Sequence, residues 1–163
     1  MHPSAQRVAE AARALGLDVR IVEFDETTRT APDAANAIGC QLAQIVKSLL
    51  FVAGDQPVMA LVSGANRLDE RKLAALRRCS RKQIRRADAD TARAAAGYAI
   101  GGVPPFGHSS PLPVYIDEDL TRFDVVWAAA GTPFAVFAIT PADLVRASGG
   151  AVVDLKAESE PRA

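Results

Sequence analysis

The chain has 163 residues, of which 49% are hydrophobic and 23% charged, and its 19 basic residues balance its 19 acidic ones. This is ordinary globular composition at a length that suits one domain, so it argues against a disordered or a fibrous protein. No segment approaches the roughly 20 consecutive apolar residues of a membrane span, and the alanine-rich start is interrupted by charges where a secretory signal is unbroken, so we expect a cytoplasmic protein with no membrane partner.

Hydrophobic periodicity in the first half of the chain predicts helices and strands that do not alternate regularly. Thr30 and Gly39 suit the two ends of a short helix, because threonine caps a first turn and glycine adopts the left-handed conformation after the last. In chain order the expected elements are a helix over 8–15, a strand over 19–24, the helix between Thr30 and Gly39, a hairpin of strands over 45–52 and 58–62, a helix over 68–76 and a strand at Ile84.

The second half contains a segment, residues 100–111, with three glycines and three prolines. Neither a helix nor a central strand tolerates that density, so we expect an ordered loop. Around it the pattern predicts a helix over 88–96, strands over 114–117, 125–129 and 134–139, a helix from Thr140 to Ser148 and a strand at 152–153. These elements predict an α/β (α+β) fold, a mixed and largely antiparallel sheet flanked by helices. One domain would span residues 1–155, followed by a frayed polar tail over 156–163.

Lys47 interrupts an apolar strand, the run from Ile45 to Val52. Alternation of side chains places it with Leu49 and Phe51 on one face, while the other face is also largely apolar. A charge in that setting needs a partner, a route to water or a pocket. The strand therefore predicts either a pocket lysine or a lysine whose stem packs while its head reaches solvent.

The loop from Gly101 to His108 has the composition of a rigid set of hydrogen-bond donors. Its glycines permit a ligand to approach the backbone closely, and its prolines fix the direction of the neighbouring amides. The amides that could hold a developing oxyanion belong to Gly101, Gly102, Val103, Phe106 and Gly107. A structural turn explains the composition equally well, and His108 fits a base, a hydrogen-bond donor or a loop cap.

Cysteine and histidine are too few for the common kinds of metal centre. Cys40, Cys79, His2 and His108 are the whole inventory, and no C-x-x-C spacing pairs them. A closed structural zinc site would need all four. We therefore expect no metal, no cofactor and two unpaired thiols.

Positive charge is concentrated between residues 67 and 86, although the net charge of the chain is zero. Two acidic residues in this stretch are outnumbered by nine basic ones. These are Arg67, Arg71, Lys72, Arg77, Arg78, Arg81, Lys82, Arg85 and Arg86. Such an asymmetry predicts a face that binds a polyanion, and the alternative is a solvated helix and turn without a partner.

Several motifs together resemble the YbaK/prolyl-tRNA-synthetase-associated domain family. They are Ala34-x-x-x-Ile-Gly, Gln44-Ile-Val-Lys47-Ser, Leu68-Asp-x-x-Lys72-Leu and Tyr98-x-x-Gly101-Gly-Val-Pro-Pro105-Phe-Gly-His, within a similarity that runs from about residue 19 to about residue 153. The strand lysine and the G-x-x-x-P loop are the most diagnostic. The resemblance implies trans-editing, the hydrolysis of the ester that joins a wrong amino acid to the tRNA 3′ end, without a metal or a covalent serine.

The resemblance also implies roles for individual residues. Lys47 corresponds to the lysine that contacts the substrate ester and Gly101 to the loop that orients the aminoacyl group, and with His108 they form the expected catalytic set. The expected substrate-binding residues are Ser48, Gly102, Val103, Pro104, Pro105, Phe106 and Gly131. The expected tRNA contacts are Lys72, Arg77, Arg78, Arg81 and Lys82. Mischarged tRNA is then the partner, and an aminoacyl-tRNA synthetase is a further candidate partner.

One turn departs from the family pattern. Many relatives carry Ser-Gly-Gly or a similar polar turn after the strand over 125–128, whereas Ala129-Ala130-Gly131-Thr132-Pro133 stands here. The loss of polar groups favours a rival function, in which the same pocket binds an aminoacyl or nucleotide end without hydrolysing it. A second rival is a different hydrolase that uses His108 with Ser109 or Ser110. Small amino acids such as alanine, serine, threonine or cysteine are the expected substrate class.

Overall fold

The computed structural model describes residues 1–25 and 30–158, and all the helices and strands expected from periodicity are present there in the expected order. The α-helices are α1 (Pro3–Ala14), α2 (Ala31–Ile38), α3 (Glu70–Arg77), α4 (Ala89–Ala96) and α5 (Pro141–Ser148). The strands are β1 (Ile21–Glu23), β2 (Val46–Ala53), β3 (Gln56–Ser63), β4 (Ile84–Arg86), β5 (Val114–Asp117), β6 (Val126–Ala129), β7 (Ala135–Ile139) and β8 (Ala151–Val153). Short 3-10 helices span Leu42–Gln44, Arg81–Gln83 and Glu118–Arg122.

Helix ends lie where capping side chains and glycines put them. Thr30, Asp88 and Thr140 accept a hydrogen bond from a first-turn amide of α2, α4 and α5, and the glycine after each of these helices is left-handed. Helix α1 begins earlier than expected, at Pro3, because the His2 side chain accepts a first-turn amide and acts as its cap. None of the described helices is both long and apolar enough to span a bilayer.

The strands are divided between two sheets. The larger has the order β4-β2-β3-β5-β8, with β4-β2 and β2-β3 antiparallel and β3-β5 and β5-β8 parallel. The smaller, β1-β7-β6, is antiparallel throughout. Among the described residues, a β-bridge between Ile45, just before β2, and Trp127 of β6 links the two sheets. The mixed, largely antiparallel architecture flanked by helices is confirmed, and the start of β2 lies at the junction of the sheets.

Both faces of the larger sheet are buried. On one face Leu50 and Val52 of β2 join the main core, which also takes in α1, α4, α5 and the smaller sheet. On the other face Phe51 packs with Leu73 of α3 in a second core. This explains why the β2 sequence is apolar on both faces. Lys47 shares a face with Phe51, so it lies on the side of the sheet that α3 covers.

The C-terminal segment is held in place where a frayed tail was expected. Leu155 is fully buried, Lys156 forms a β-bridge with Leu68, and the Ala157 amide donates to the Arg67 carbonyl at 2.7 Å. Backbone pairing therefore fastens residues 156 and 157 to the body of the fold. The remaining positions of the expected tail, 159–163, lie outside the described residues.

Candidate functional site

Lys47 is the second residue of strand β2, near the junction of the two sheets, and it is half-buried. Its ammonium donates a hydrogen bond to the backbone carbonyl of Asn66. Burial lowers the pKa of Lys47, the Asp117 carboxylate acts against this shift, and the Arg86 guanidinium adds to it. A partly desolvated ammonium is well suited to stabilise a neighbouring oxygen on which negative charge develops.

Asn66, which positions the Lys47 ammonium, is itself held by two carboxylates. Its side-chain amide donates to Asp117 and to Asp119, both at 2.8 Å, and the Lys156 ammonium lies 3.1 Å from the latter. Asp117 is 1% exposed, so water competes little for these bonds. No local sequence pattern indicates these bonds, because the partners of Asn66 lie 51 and 53 positions further along the chain.

A cleft of about 270 Å³ opens beside Lys47. It lies between the start of β2, helix α2, the loop that follows α4 and the turn between β6 and β7. Four of the expected site residues line it, namely Lys47, Ser48, Gly101 and Val103. Most of the lining is apolar, and an apolar wall with a few placed polar groups is the usual composition of a small-molecule pocket.

The Ser48 hydroxyl is a polar group of this cleft that lacks a partner. Its oxygen is shielded from water and forms no hydrogen bond with any described residue. A buried hydroxyl left in this state costs about 1–3 kcal/mol of stability. The Ser48 oxygen is therefore a polar atom beside the cleft that the described fold leaves without a hydrogen bond.

The glycine and proline loop contributes its first residues to the cleft. Gly101 and Val103 line the cleft, and neither amide donates to a protein acceptor within the described residues. The Gly102 amide is engaged, because it donates to the Ala99 carbonyl at 3.0 Å. Of the donors expected from composition, Gly101 and Val103 are thus the ones left for a substrate in the cleft.

The other expected substrate-binding residues of the loop lie outside the lining of the cleft. Within the described part of the chain, the expected substrate-binding residues that do not line the cleft are Gly102, Pro104, Pro105, Phe106 and Gly131. Phe106 is buried, with its ring centroid 5.6 Å from that of Phe137. The Gly131 amide donates to the Gly102 carbonyl at 2.8 Å. These residues therefore position the cleft and join the loop to the turn between β6 and β7.

His108 lies behind the loop, and it is not among the described residues that line the cleft. Its Nε2 atom is 2.7 Å from the Pro104 carbonyl oxygen. Burial lowers the pKa of His108, and the hydrogen bond with that carbonyl acts in the opposite direction. Ser109 and Ser110 donate to carbonyls in the last turn of α4, including that of Ala95. This geometry matches a loop cap, and it gives no support to a His108–serine nucleophile.

We expect His108 to make stability depend on pH below its ordinary pKa of about 6.5. Because the folded chain favours the neutral ring, the unfolded chain takes up a proton first as the pH falls. The melting temperature should therefore drop between that pKa and the lower pKa of the folded state. His108→Gln should flatten this drop in scanning calorimetry. An unchanged pH dependence in His108→Gln would contradict this role.

The five expected tRNA contacts differ in whether their side chains already have partners within the fold. Three have partners within the fold: Lys72 pairs with Asp154 at 2.9 Å, Arg81 pairs with Glu70, and Arg77 donates to the Tyr115 hydroxyl at 3.0 Å. Arg78 and Lys82 are exposed and form no ion pair with the described residues. Charges that are not neutralised within the fold attract a polyanion most strongly, so Arg78 and Lys82 are the members of the set best placed to contact phosphates.

A second cavity, of about 880 Å³, adjoins the cleft and shares Lys47, Leu49 and Arg86 with it. Five cationic and three acidic side chains line this larger cavity. Arg86 reaches it because β4 pairs with β2 and places Arg86 opposite Phe51. Sequence reasoning counted Arg86 within the basic stretch but did not single it out, since no local pattern indicates this strand pairing.

No group of three or more histidine, cysteine, aspartate or glutamate side chains among the described residues is arranged to hold a metal ion. Cys40 and Cys79 are free thiols. Burial raises the pKa of Cys40, so that its neutral thiol form is favoured.

Comparison with known sequences gives a match to a family model and matches to individual proteins. A family model of the aminoacyl-tRNA editing domain matches residues 25–147. The uncharacterized protein YwhH of Bacillus subtilis (strain 168) is 33% identical over 125 residues, which cover 76% of this chain and 78% of that protein. The proline–tRNA ligase of Thermoanaerobacter sp. (strain X514) is 27% identical over 99 residues, which cover 61% of this chain and 17% of the ligase. The chain therefore corresponds to a small part of that ligase.

Comparison with solved structures extends the similarity to the whole fold. The crystal structure of a proposed trans-editing enzyme for prolyl tRNA synthetase matches with a TM-score of 0.92 at 46% identity, covering 97% of this chain and 99% of that one. Hypothetical protein APE2540 matches with a TM-score of 0.83 at 28% identity, covering 93% and 99%. Each match covers more than nine tenths of this chain.

Proposed function

Since the chain belongs to the aminoacyl-tRNA editing domain family, we propose that it hydrolyses the ester between a small, wrongly attached amino acid and the 3′ end of tRNA. Similarity to proline–tRNA ligases and to a proposed trans-editing enzyme for prolyl tRNA synthetase supports an editing role related to that synthetase. Mischarged tRNA is then the substrate, and the synthetase that mischarges it is a second candidate partner.

The main support for the proposal is the position of Lys47 between two cavities that differ in size and polarity. On one side lies the small, mostly apolar cleft, and on the other the larger cavity rich in cations. An aminoacyl-tRNA has the same division, because its ester joins a small acyl group to a polyanionic strand. An ester bound with the acyl group in the cleft and the nucleotide in the larger cavity has its carbonyl close to the Lys47 ammonium.

The chemistry required of the site is modest, because an aminoacyl ester is already activated. Water attacks the carbonyl carbon, and the carbonyl π electrons move onto the oxygen of a tetrahedral intermediate. The Lys47 ammonium and the amides of Gly101 and Val103 stabilise that oxyanion. The intermediate then expels the ribose oxygen, which takes up the proton that the attacking water loses, and the products are the amino acid and uncharged tRNA. The neighbouring ribose hydroxyl is the group best placed to assist the water.

The cleft that would receive the acyl group is small. Its volume is about 270 Å³, just below the range of about 300–1,000 Å³ for ligand pockets. Val103, Ala128 and Ala129 are apolar residues of its lining, and Ser48 and Thr132 are polar ones. The amino acids whose removal we propose are alanine, serine, threonine and cysteine.

A panel of tRNAs charged with small amino acids tests the proposal. We expect purified protein to release at least one of these amino acids faster than spontaneous hydrolysis does. Tight binding without release would favour the alternative, a non-catalytic module that holds an aminoacyl or nucleotide end. The turn after β6 is the observation that favours this alternative, because Ala129 lines the cleft with a methyl group and Ala130 is fully buried.

Reversing Arg78 and Lys82 to glutamate should weaken tRNA binding, because cationic side chains on phosphates contribute through counterion release. Loss of two contacts to duplex phosphates would reduce the slope of log affinity against log salt concentration by about 1.8. Filter binding of uncharged tRNA at several salt concentrations measures this change. Arg13→Glu with Arg93→Glu, at exposed positions of α1 and α4, is the matched control. An unaltered salt slope in the Arg78 and Lys82 variant would mean that tRNA approaches elsewhere.

A further inference from the structure

The larger cavity beside the cleft is a basic trough, defined by the cations Lys47, Arg67, Arg71, Arg81 and Arg86. It is formed by β2, β4, the start of α3 and the C-terminal segment, and its volume is about 880 Å³. Lys47 and Arg86 line both the trough and the cleft. The trough therefore leads directly to the ammonium assigned to the ester.

The charges of the basic trough are only partly balanced. Its three carboxylates are engaged, Asp69 with the first turn of α3, Glu70 with Arg81 and Glu158 with Lys72. By contrast, the guanidinium groups of Arg67, Arg71 and Arg86 form no ion pair with any described residue. Arg67 and Arg71 are also exposed. Three arginines without acidic partners around one cavity attract a polyanion.

Apolar side chains line the basic trough between its arginines, but most of them are buried. Leu49, Phe51 and Leu68 line it, Phe51 is 2% exposed and Leu68 9%, and the Arg86 guanidinium lies 5.3 Å from the centre of the Phe51 ring. The exposed Arg86 guanidinium, not the Phe51 ring, is therefore the flat surface open to a ligand. A nucleotide strand suits this lining, because its bases stack on guanidinium planes and its phosphates bind guanidinium groups.

We propose that the basic trough binds the unpaired nucleotides immediately 5′ of the aminoacylated adenosine, with Arg67 and Arg71 on their phosphates. This inference rests on the proposed function, since it takes the ester to lie at Lys47. With the acyl group in the small cleft, the strand that leaves the terminal ribose passes Arg86 and enters the trough. Unpaired nucleotides fit better than the duplex stem, because their bases are free to stack on the exposed Arg86 guanidinium.

Binding of two uncharged ligands tests the basic trough without requiring hydrolysis. The trinucleotide CpCpA should bind wild-type protein about tenfold or more tightly than adenosine does, since each hydrogen bond to a charged group contributes at least that factor. The double variant Arg67→Gln, Arg71→Gln should lose this preference. Its salt slope for CpCpA should fall by about 1.4, because each single-strand phosphate contact contributes about 0.7. Titrations of the whole chain, followed by nuclear magnetic resonance, measure both quantities.

A charge-matched double variant, Arg13→Gln with Arg93→Gln, removes the same charge from α1 and α4 and should keep the preference for CpCpA. Equal affinity of the wild type for CpCpA and adenosine would overturn the proposal, and so would a full preference in the folded Arg67 and Arg71 variant. Failure of the proposed function would give a different result. No aminoacyl ester in the panel would be hydrolysed, while the preference for CpCpA would persist and support nucleotide binding in the basic trough.

Discussion

Lys47→Ala is expected to reduce kcat/KM for ester hydrolysis by about a hundredfold or more, because the loss of one donor to a developing oxyanion costs that order of rate. The ammonium lies between the cleft and the basic trough, and the Asn66 carbonyl holds it there. The substrate for this measurement is an aminoacyl-adenosine ester, so that changes in tRNA binding do not enter. Initial rates of release of the amino acid give the comparison.

The melting temperature separates lost chemistry from a lost fold in this experiment. Lys47→Ala removes a half-buried charge, whose desolvation is unfavourable, so the melting temperature should stay close to that of the wild type. Lys47→Arg is an informative second variant, because a guanidinium keeps the charge but is larger and planar. It should recover only part of the activity. Wild-type turnover by a stably folded Lys47→Ala protein would refute the role assigned to this lysine.

The strand that carries Lys47 was predictable because its signal is local. Alternation placed Lys47 with Leu49 and Phe51 on one face, and all three line the basic trough. The starts of α2 and α5 depend on contacts of the same short range, since Thr30 and Thr140 each accept from an amide three positions ahead. Elements and their ends therefore follow from residues that are neighbours in the chain.

The surroundings of Lys47 were not predictable, because they depend on partners far apart in the chain. The bond from Asn66 to Asp117 spans 51 positions, and neither residue belongs to a recognisable motif. The basic stretch shows the same limit. Counting charges predicts a positive face, but only the fold shows that Glu70 engages Arg81 and leaves other arginines free. Ion pairs within the fold decide which basic side chains remain available to bind RNA, and the composition of the chain does not show which ion pairs form.

Gly102 is the residue at which the smallest change should most disturb the cleft. A Cβ atom there would lie 2.6 Å from the Gly131 carbonyl oxygen and 2.7 Å from the Thr132 Cα atom. Both contacts are with backbone, which cannot rotate away as a side chain does. The Gly102 carbonyl also accepts from the Gly131 amide at 2.8 Å. Gly102→Ala must therefore push the loop away from the turn between β6 and β7, and both of these line the cleft.

We expect Gly102→Ala to reduce kcat/KM for an aminoacyl-adenosine ester by about a hundredfold, because a displacement of about 1 Å near a reacting group costs that order. Overpacking of about 1–3 kcal/mol should also lower the melting temperature by about 2–12 °C. Gly54→Ala is the control, since Gly54 has a φ of 62° in the turn between β2 and β3 and a Cβ there meets nothing within 4 Å. It strains the backbone away from the cleft, so it should lose stability and keep activity. Wild-type kcat/KM in Gly102→Ala would mean that the loop does not set the geometry around Lys47, and the amide donors assigned to Gly101 and Val103 would then have to be abandoned.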